Sequence, residues 1–199
     1  MKNFLLAIFF LMLAATGEAK DMTTTKQETA VFAGGCFWCM EKPFDQTKGV
    51  LSTEAGYIGG HVANPTYEQV SSGQTGHMEA MRVVYDPSLV DYQTLLTVFW
   101  HNVDPFDPQG QFCDKGDQYR SAIFYENEEQ RKLAETSKQQ VAAQLGHEVV
   151  TEVLAAAPFY PAEEYHQNYY VRNPIRYHYY RYRCGRDERL ARVWGESKE

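Results

Sequence analysis

The stretch that most constrains this chain is Thr29-Ala-Val-Phe-Ala-Gly-Gly-Cys-Phe-Trp-Cys39. Thr29–Ala33 is β-branched and apolar and reads as a short strand that breaks at Gly34-Gly35. A helical segment begins at Cys36, and Pro43 is awkward inside it. Either the helix kinks there, or a second turn starts with Pro43 at its first position. Downstream, strands are predicted at Val50–Tyr57, Met78–Tyr85, Arg120–Tyr125 and His147–Ala155. Helices are predicted at Thr66–Ser71, at Tyr92–His101 with Leu95, Leu96, Phe99 and Trp100 near one face, from Asn127 to about Leu145, at Ala162–Tyr170 and at Asp187–Trp194. Asn127 with Gln130 has the spacing of a capping box. Strand and helix alternate, but the strands are too few and irregular for a doubly wound sheet. The expected fold is α/β (α+β), a two-layer sandwich of helices on a mixed sheet. Val171–Gly185 shows no clear period and is expected to be a long C-terminal coil, a kind of segment that is usually functional inside a compact domain.

At 199 residues, with 44% hydrophobic and 23% charged residues, the chain is globular and sized for one domain. A net charge of −7 argues against binding a phosphate backbone, so no nucleic-acid partner is expected. Met1–Ala19 has the pattern of a secretory signal peptide. Lys2 is the positive end, Phe4–Ala15 the apolar run, and Gly17 and Ala19 the small residues of a cleavage site. The run is short for a membrane span and no Cys follows it, so neither a lipid anchor nor stable membrane association is expected. The expected organisation is a signal peptide at 1–19, a polar stretch at 20–28, one catalytic domain at 29–195 and a tail at 196–199. The expected product is a secreted or periplasmic monomer.

Cys36 opens a helix behind two glycines, where backbone N–H groups and the helix dipole favour an anion. It is therefore a candidate nucleophile, against the alternative of a small buried hydrophobe. Cys36-x-x-Cys39 has the spacing of a thiol–disulfide motif or half a zinc site. Cys113 and Cys184 stand apart in sequence and supply no second ligand pair, so no metal is expected. Cys39 lies on roughly the face of Cys36, and a packing role suits it as well as a redox one. Cys184 sits in Arg181-Tyr182-Arg183-Cys184-Gly185-Arg186, a basic context that favours a thiolate. Taken alone, Glu79 reads as an outward strand residue, Tyr67 and Tyr119 as packing residues, and Asp114 as a turn residue. The basic, Tyr-rich run Arg176–Arg186 has the aromatic interleaving of a single-strand binder. The acidic total favours a packed coil.

Five motifs then occur in order: Gly35-Cys36-Phe37-Trp38, Gly56-Tyr57-Ile58-Gly59-Gly60, Asn64-Pro65-Thr66-Tyr67, Gly76-His77-Met78-Glu79-Ala80 and Asp117-Gln118-Tyr119-Arg120-Ser121-Ala122. Together they strongly resemble the A-type peptide methionine sulfoxide reductases, from about Thr29 to Gly195. The resemblance implies reduction of methionine-S-sulfoxide, free or in oxidised proteins, as a repair of oxidative damage. It implies Cys36 as the thiol that attacks the sulfoxide sulfur and becomes a sulfenic acid. Glu79 matches the acid that protonates the oxygen, and Tyr67 and Tyr119 match the hydroxyls that bind it, with Asp114 beside them. Phe37 and Trp38 match the apolar wall for the substrate methyl group. Cys184 resembles a recycling cysteine in a C-terminal Cys-Gly-Arg-Asp stretch. Cys39 stands where Gly is commoner, which leaves a redox role for it open.

No bound cofactor is expected, because the glycine pairs form neither a dinucleotide nor a phosphate loop. The resemblance implies an external thiol reductant, thioredoxin or a thioredoxin-like donor. Two other classes fit parts of the sequence: a general thiol–disulfide oxidoreductase built on Cys36 and Cys39, and a noncatalytic metal- or peptide-binding module.

Overall fold

The computed structural model describes residues 26–195. The expected signal peptide, most of the polar stretch after it and the 196–199 tail lie outside these residues. The described elements run β1 (Glu28–Gly34), α1 (Phe37–Asp45), β2 (Val50–Ile58), α2 (Tyr67–Ser71), β3 (Met78–Tyr85), α3 (Tyr92–Trp100), β4 (Gly110–Gln111), β5 (Asp114–Lys115), β6 (Ser121–Tyr125), α4 (Glu128–Leu145), β7 (Glu152–Ala155), β8 (Phe159–Pro161), α5 (Tyr169–Arg172), α6 (Pro174–Arg183) and α7 (Arg186–Trp194).

Among the described residues, six strands form one mixed sheet in the order β7-β6-β1-β3-β2-β8, and β4 and β5 pair as a separate small hairpin. β6 and β7 are parallel, a pairing that needs a crossover, and α4 supplies it. The other ladders are antiparallel, with Phe32 opposite Met81 and Tyr57 opposite Glu79. Strand alternation sends Ala30, Phe32, Tyr57, Met81, Val83 and Ile123 into the main core with Met40, Phe44, Leu95, Leu96 and Phe99 from the helices. Phe32 stacks on Phe44 and Phe99 with centroids 5.1 and 5.3 Å apart. The opposite face holds a smaller cluster of Val31, Ala33, Ile58, Met78, Ala80, Ala122 and Phe124. The layered α+β architecture is thus as expected, and the main core lies between sheet and helices.

α1 runs through Pro43 as one helix. Asn127 accepts from the Gln130 N–H at 2.9 Å, but Gln130 reaches back to the Glu126 N–H, one residue before the box position. Three expectations need correction. The strand expected at His147–Ala155 begins only at Glu152. The expected helix Ala162–Tyr170 is a 3-10 turn at Glu164–His166 followed by the short α5. Tertiary partners override it: the Gln167 side chain bonds the backbone N–H and C=O of Ala55, and the Glu41 carboxylate takes the N–H groups of Asn168 and Tyr169. Finally, the expected coil Val171–Gly185 is largely helix α6, with Pro174 in its first turn. Only Tyr177 in α6 is fully buried, so no apolar stripe marks the helix in the sequence.

Candidate active site

The junction between β1 and α1 is held closed around its two glycines. Gly35 has φ +77°, and a Cβ there would lie 2.5 Å from Gln111 Cβ, so only glycine lets β4 pack this closely. Gln111 is locked in turn by a two-way bond to the Asp104 backbone at 2.7 and 2.8 Å. Arg186, fully buried, donates to the carbonyls of Gly34 and Asn102 at 3.0 and 2.6 Å and lies 4.4 Å over the Phe112 ring. One side chain therefore fastens the start of α7, the β4–β5 hairpin and the junction together.

Cys36 is the N-cap of α1, with non-helical backbone angles, and its carbonyl accepts the Cys39 N–H at 3.0 Å. Both cysteines are free and buried, and their thiols are hydrogen-bonded to one another. Burial above all, then Cys39, Glu79 and Asp114, pushes the Cys36 thiol well above its usual range. The bond from Cys36, helped by the charges of Arg186 and Arg181, draws Cys39 down to about 7. At Cys36 burial therefore works against the anion that the helix start favours.

Glu79 is 2% exposed and faces the helix side of β3, not solvent. Its Oε2 accepts the Phe37 N–H at 3.1 Å, tying it to the first turn of α1. Burial raises its carboxyl to about 8, opposed by the Phe37 bond and supported by the charges of Asp114 and Cys39. Glu79 is therefore largely neutral near pH 7. Tyr119 ends a 3-10 turn at Asp117–Tyr119, and Tyr67 opens α2. Burial raises both phenols, and charges at Glu79, Cys36 and Asp114 raise both further. Both phenols thus feel the charges of the Cys36–Glu79 neighbourhood. Asp114 accepts from the Tyr180 hydroxyl, and burial raises its carboxyl against the pull of Tyr180, Arg186 and Lys115.

Phe37 is buried against Tyr57 and His166, at 6.0 and 4.8 Å between centroids. Trp38, half-buried, stacks on Tyr169 at 3.7 Å and 4° and meets the edge of Tyr180 at 5.8 Å. Two residues not singled out from the sequence organise this wall. His166 Nδ1 accepts the Trp38 indole N–H at 3.0 Å, so its own proton sits on Nε2, and burial lowers its pKa. Glu163 accepts from the Tyr57 hydroxyl and the Tyr67 N–H, each at 2.8 Å. The spacing Glu163-x-x-His166 was the available signal, hidden by reading this segment as an ordinary helix.

Cys184 is the C-cap residue of α6. It is disulfide-bonded to Cys113, 71 residues away, with Cα atoms 4.9 Å apart. Asp114 contacts both sulfurs at 3.7 Å. Cys113, Asp114 and Cys184 could sterically hold a metal, but the two sulfurs are occupied by their mutual bond. Cys113 is exposed and Cys184 half-buried.

The family model for peptide methionine sulfoxide reductase matches residues 28–198. Peptide methionine sulfoxide reductase MsrA of Bacillus licheniformis is 51% identical over 176 residues, covering 87% of this chain and 97% of that protein. The solved methionine sulfoxide reductase A of Corynebacterium diphtheriae superposes with a TM-score of 0.68 at 35% identity, covering 75% of this chain and 76% of that one. Reduced Mxr1 of Saccharomyces cerevisiae gives 0.73 at 29% identity, covering 76% and 88%. Mxr1 in its complex with Trx2 gives 0.51 at 21%, covering 73% and 86%, a likeness of fold alone. A free cysteine at a glycine-bounded helix start, facing a neutral buried carboxyl, agrees with this kinship. The chain belongs to the A-type peptide methionine sulfoxide reductases, oxidoreductases that reduce methionine-S-sulfoxide to methionine.

Proposed function

We propose that Cys36 attacks the sulfoxide sulfur while Glu79 protonates the departing oxygen. The observation that carries this reading is the Phe37 N–H to Glu79 bond, which sets a carboxyl titrating at about 8 against the helix that Cys36 caps. A sulfoxide oxygen leaves poorly until protonated, so a carboxyl still neutral near pH 7 is the required donor. Tyr67 and Tyr119 hold the oxygen as it gains charge, Asp114 lies beside them, and Phe37 and Trp38 face the substrate methyl group. The step converts the Cys36 thiol and the sulfoxide into a Cys36 sulfenic acid and a thioether. Cys39, hydrogen-bonded to Cys36, then displaces water to form a disulfide, and Cys184 acts later in recycling. The oxidised methionine of proteins or the free amino acid is the substrate class.

The reductant in this reading is a thioredoxin-like dithiol protein, supported by the yeast relative solved with Trx2. The protein works as an exported monomer whose catalytic domain spans 29–195, a reading supported by the Met1–Ala19 sequence pattern. Among the described residues, no helix is long and apolar enough to cross a membrane. A general thiol–disulfide oxidoreductase is disfavoured because Cys36 and Cys39 are 6% and 1% exposed, beyond easy reach of a folded protein's disulfide. The test supplies S and R epimers of methionine sulfoxide to wild type and Cys36→Ser with excess dithiol. Consumption of the S epimer by wild type alone supports the assignment, and methionine from Cys36→Ser overturns it.

A further inference from the structure

One buried carboxylate beside the aromatic wall has no part in the steps above. Glu41 lies on α1 three residues after Trp38, so the two share a face of the helix, and it is 1% exposed. Its Oε1 accepts the Asn168 N–H at 2.7 Å, and its Oε2 accepts the Tyr169 N–H at 3.0 Å. Both oxygens are thus committed to the backbone of one distant stretch. Asn168 has φ +53°, a left-handed conformation that needs support from its surroundings, and the carboxylate gives it. The same stretch holds Trp38 on two sides. His166 accepts the indole N–H at 3.0 Å, and the Tyr169 ring lies on the indole, 3.7 Å away and 4° from parallel. Gln167, between them, is tied to β2 through the N–H and C=O of Ala55. One turn beyond Glu41, Asp45 accepts the Tyr170 hydroxyl at 3.0 Å. Trp38, Glu41 and Asp45 therefore form a ladder on α1 that fixes where residues 166–170 cross it. Of these three rungs only Glu41 grips main chain, so it places the Tyr169 backbone and with it the ring.

We propose that Glu41 is a positioning residue for sulfoxide binding: by gripping Asn168 and Tyr169 it holds the Tyr169 ring against Trp38 and keeps the wall that receives the substrate methyl group in one place. This rests on the reading of Phe37 and Trp38 as that wall. Glu41 acts through Tyr169 and Trp38, so it moves binding far more than the chemical step. Two N–H donors need two acceptor oxygens, which a carboxylate offers and a protonated carboxyl does not. Burial raises Glu41 to about 7, opposed by the two N–H bonds and by Arg172 of α5, and supported by Asp45 on its own helix. The Tyr170 phenol, bonded to Asp45, also feels its charge. The grip is therefore full above that pH and weakens below it.

The test is single-turnover reduction of a methionine-S-sulfoxide blocked at both ends, and so uncharged, by the full-length reduced protein. It reads the plateau rate and the half-saturating concentration separately. In wild type the half-saturating concentration should rise as pH falls through about 7. Glu41→Gln keeps one acceptor but turns an amide N–H₂ toward the second backbone N–H. Its half-saturating concentration should lie roughly tenfold above the alkaline wild-type value, with no limb near neutral pH and a much smaller change in plateau rate. Tyr169→Leu keeps both backbone N–H groups and removes the stacked ring, and it should raise the half-saturating concentration similarly even if Glu41→Gln fails to fold. The double variant should be no worse than either single one. A wild-type value that stays flat through this pH range, or a Glu41→Gln loss confined to the plateau rate, overturns the positioning role and leaves the Cys36 chemistry intact. An unchanged half-saturating concentration in Trp38→Leu overturns the reading of the wall, and the role of Glu41 with it.

Discussion

Phe37 donates its backbone N–H to Glu79 Oε2 at 3.1 Å, joining the first turn of α1 to the third strand of the chain across 42 residues. Because the donor is the residue next to Cys36, Glu79 and Cys36 are placed by the same helix turn. Glu79→Gln keeps an acceptor for this N–H but has no carboxyl proton to transfer. Rapid-quench measurement of methionine formation should show a loss of about 10²–10⁴-fold in the reductive step. An unchanged step would remove Glu79 from the chemistry.

The same carboxyl sets a pH limb. Glu79 is active when protonated and titrates at about 8, so the reductive rate should be full below that pH and fall above it. Stability follows the same sign. Its folded pKa is raised, so stability is fully present below the ordinary carboxyl range and is lost as pH rises from there through about 8. At about 1.4 kcal/mol per pKa unit, the penalty at pH 9 is on the order of a few kcal/mol. Glu79→Gln should therefore be the more stable protein at pH 9 by thermal unfolding, despite being nearly inactive. A variant less stable than wild type at that pH would contradict the account of its burial.

In the proposed mechanism Tyr67 and Tyr119 share one role as hydroxyl donors. Losing a single donor to developing charge on oxygen typically costs about 10²–10³-fold, and less when a second donor remains. Tyr67→Phe and Tyr119→Phe should each lower kcat with little change in KM. The double variant should fall well below either, and a double variant no worse than the singles would mean that only one of the hydroxyls acts.

The His166 to Trp38 bond orders the aromatic wall. His166→Ala removes the acceptor for the indole N–H and the ring packed on Phe37 and Tyr67. A lost bond of about 1.4 kcal/mol corresponds to roughly tenfold, expected mainly in KM for the sulfoxide. A fall confined to kcat would point to a different role.

Arg186 is the buried fastener of the site. Arg186→Met leaves the carbonyls of Gly34 and Asn102 without their donor, at a cost of roughly 2–4 kcal/mol in denaturant unfolding. It also removes a charge that draws Cys39 down to about 7, so thiolate absorbance should titrate at higher pH than in wild type. An unmoved titration would show that the Cys36 bond alone controls Cys39.

What could be read from the sequence was local. Gly34-Gly35 before Cys36, the alternation of Met78–Tyr85 and the face of Tyr92–Trp100 all express short-range rules, and the structure follows them. The burial of Glu79 was not legible, because strand alternation says that residues share a face and not which face is covered. Helix α6 is hidden in the sequence because most of its side chains are aromatic or basic and only Tyr177 is fully buried, so hydrophobic periodicity has little to detect. The Cys113–Cys184 bond was invisible for another reason. Its partners are 71 residues apart and meet only because Arg186 and Gln111 bring the chain end and the hairpin to the same junction.

Trapping the intermediate tests the central claim most directly. Cys39→Ser, with Cys113–Cys184 kept as a disulfide, leaves Cys36 as the one free thiol among the described residues. Given one equivalent of methionine-S-sulfoxide and a dimedone-type reagent, it should yield one methionine and one adduct, mapped by mass spectrometry to Cys36. Methionine formed without an adduct on Cys36, or an adduct on any other residue, would contradict Cys36 as the thiol that takes the oxygen.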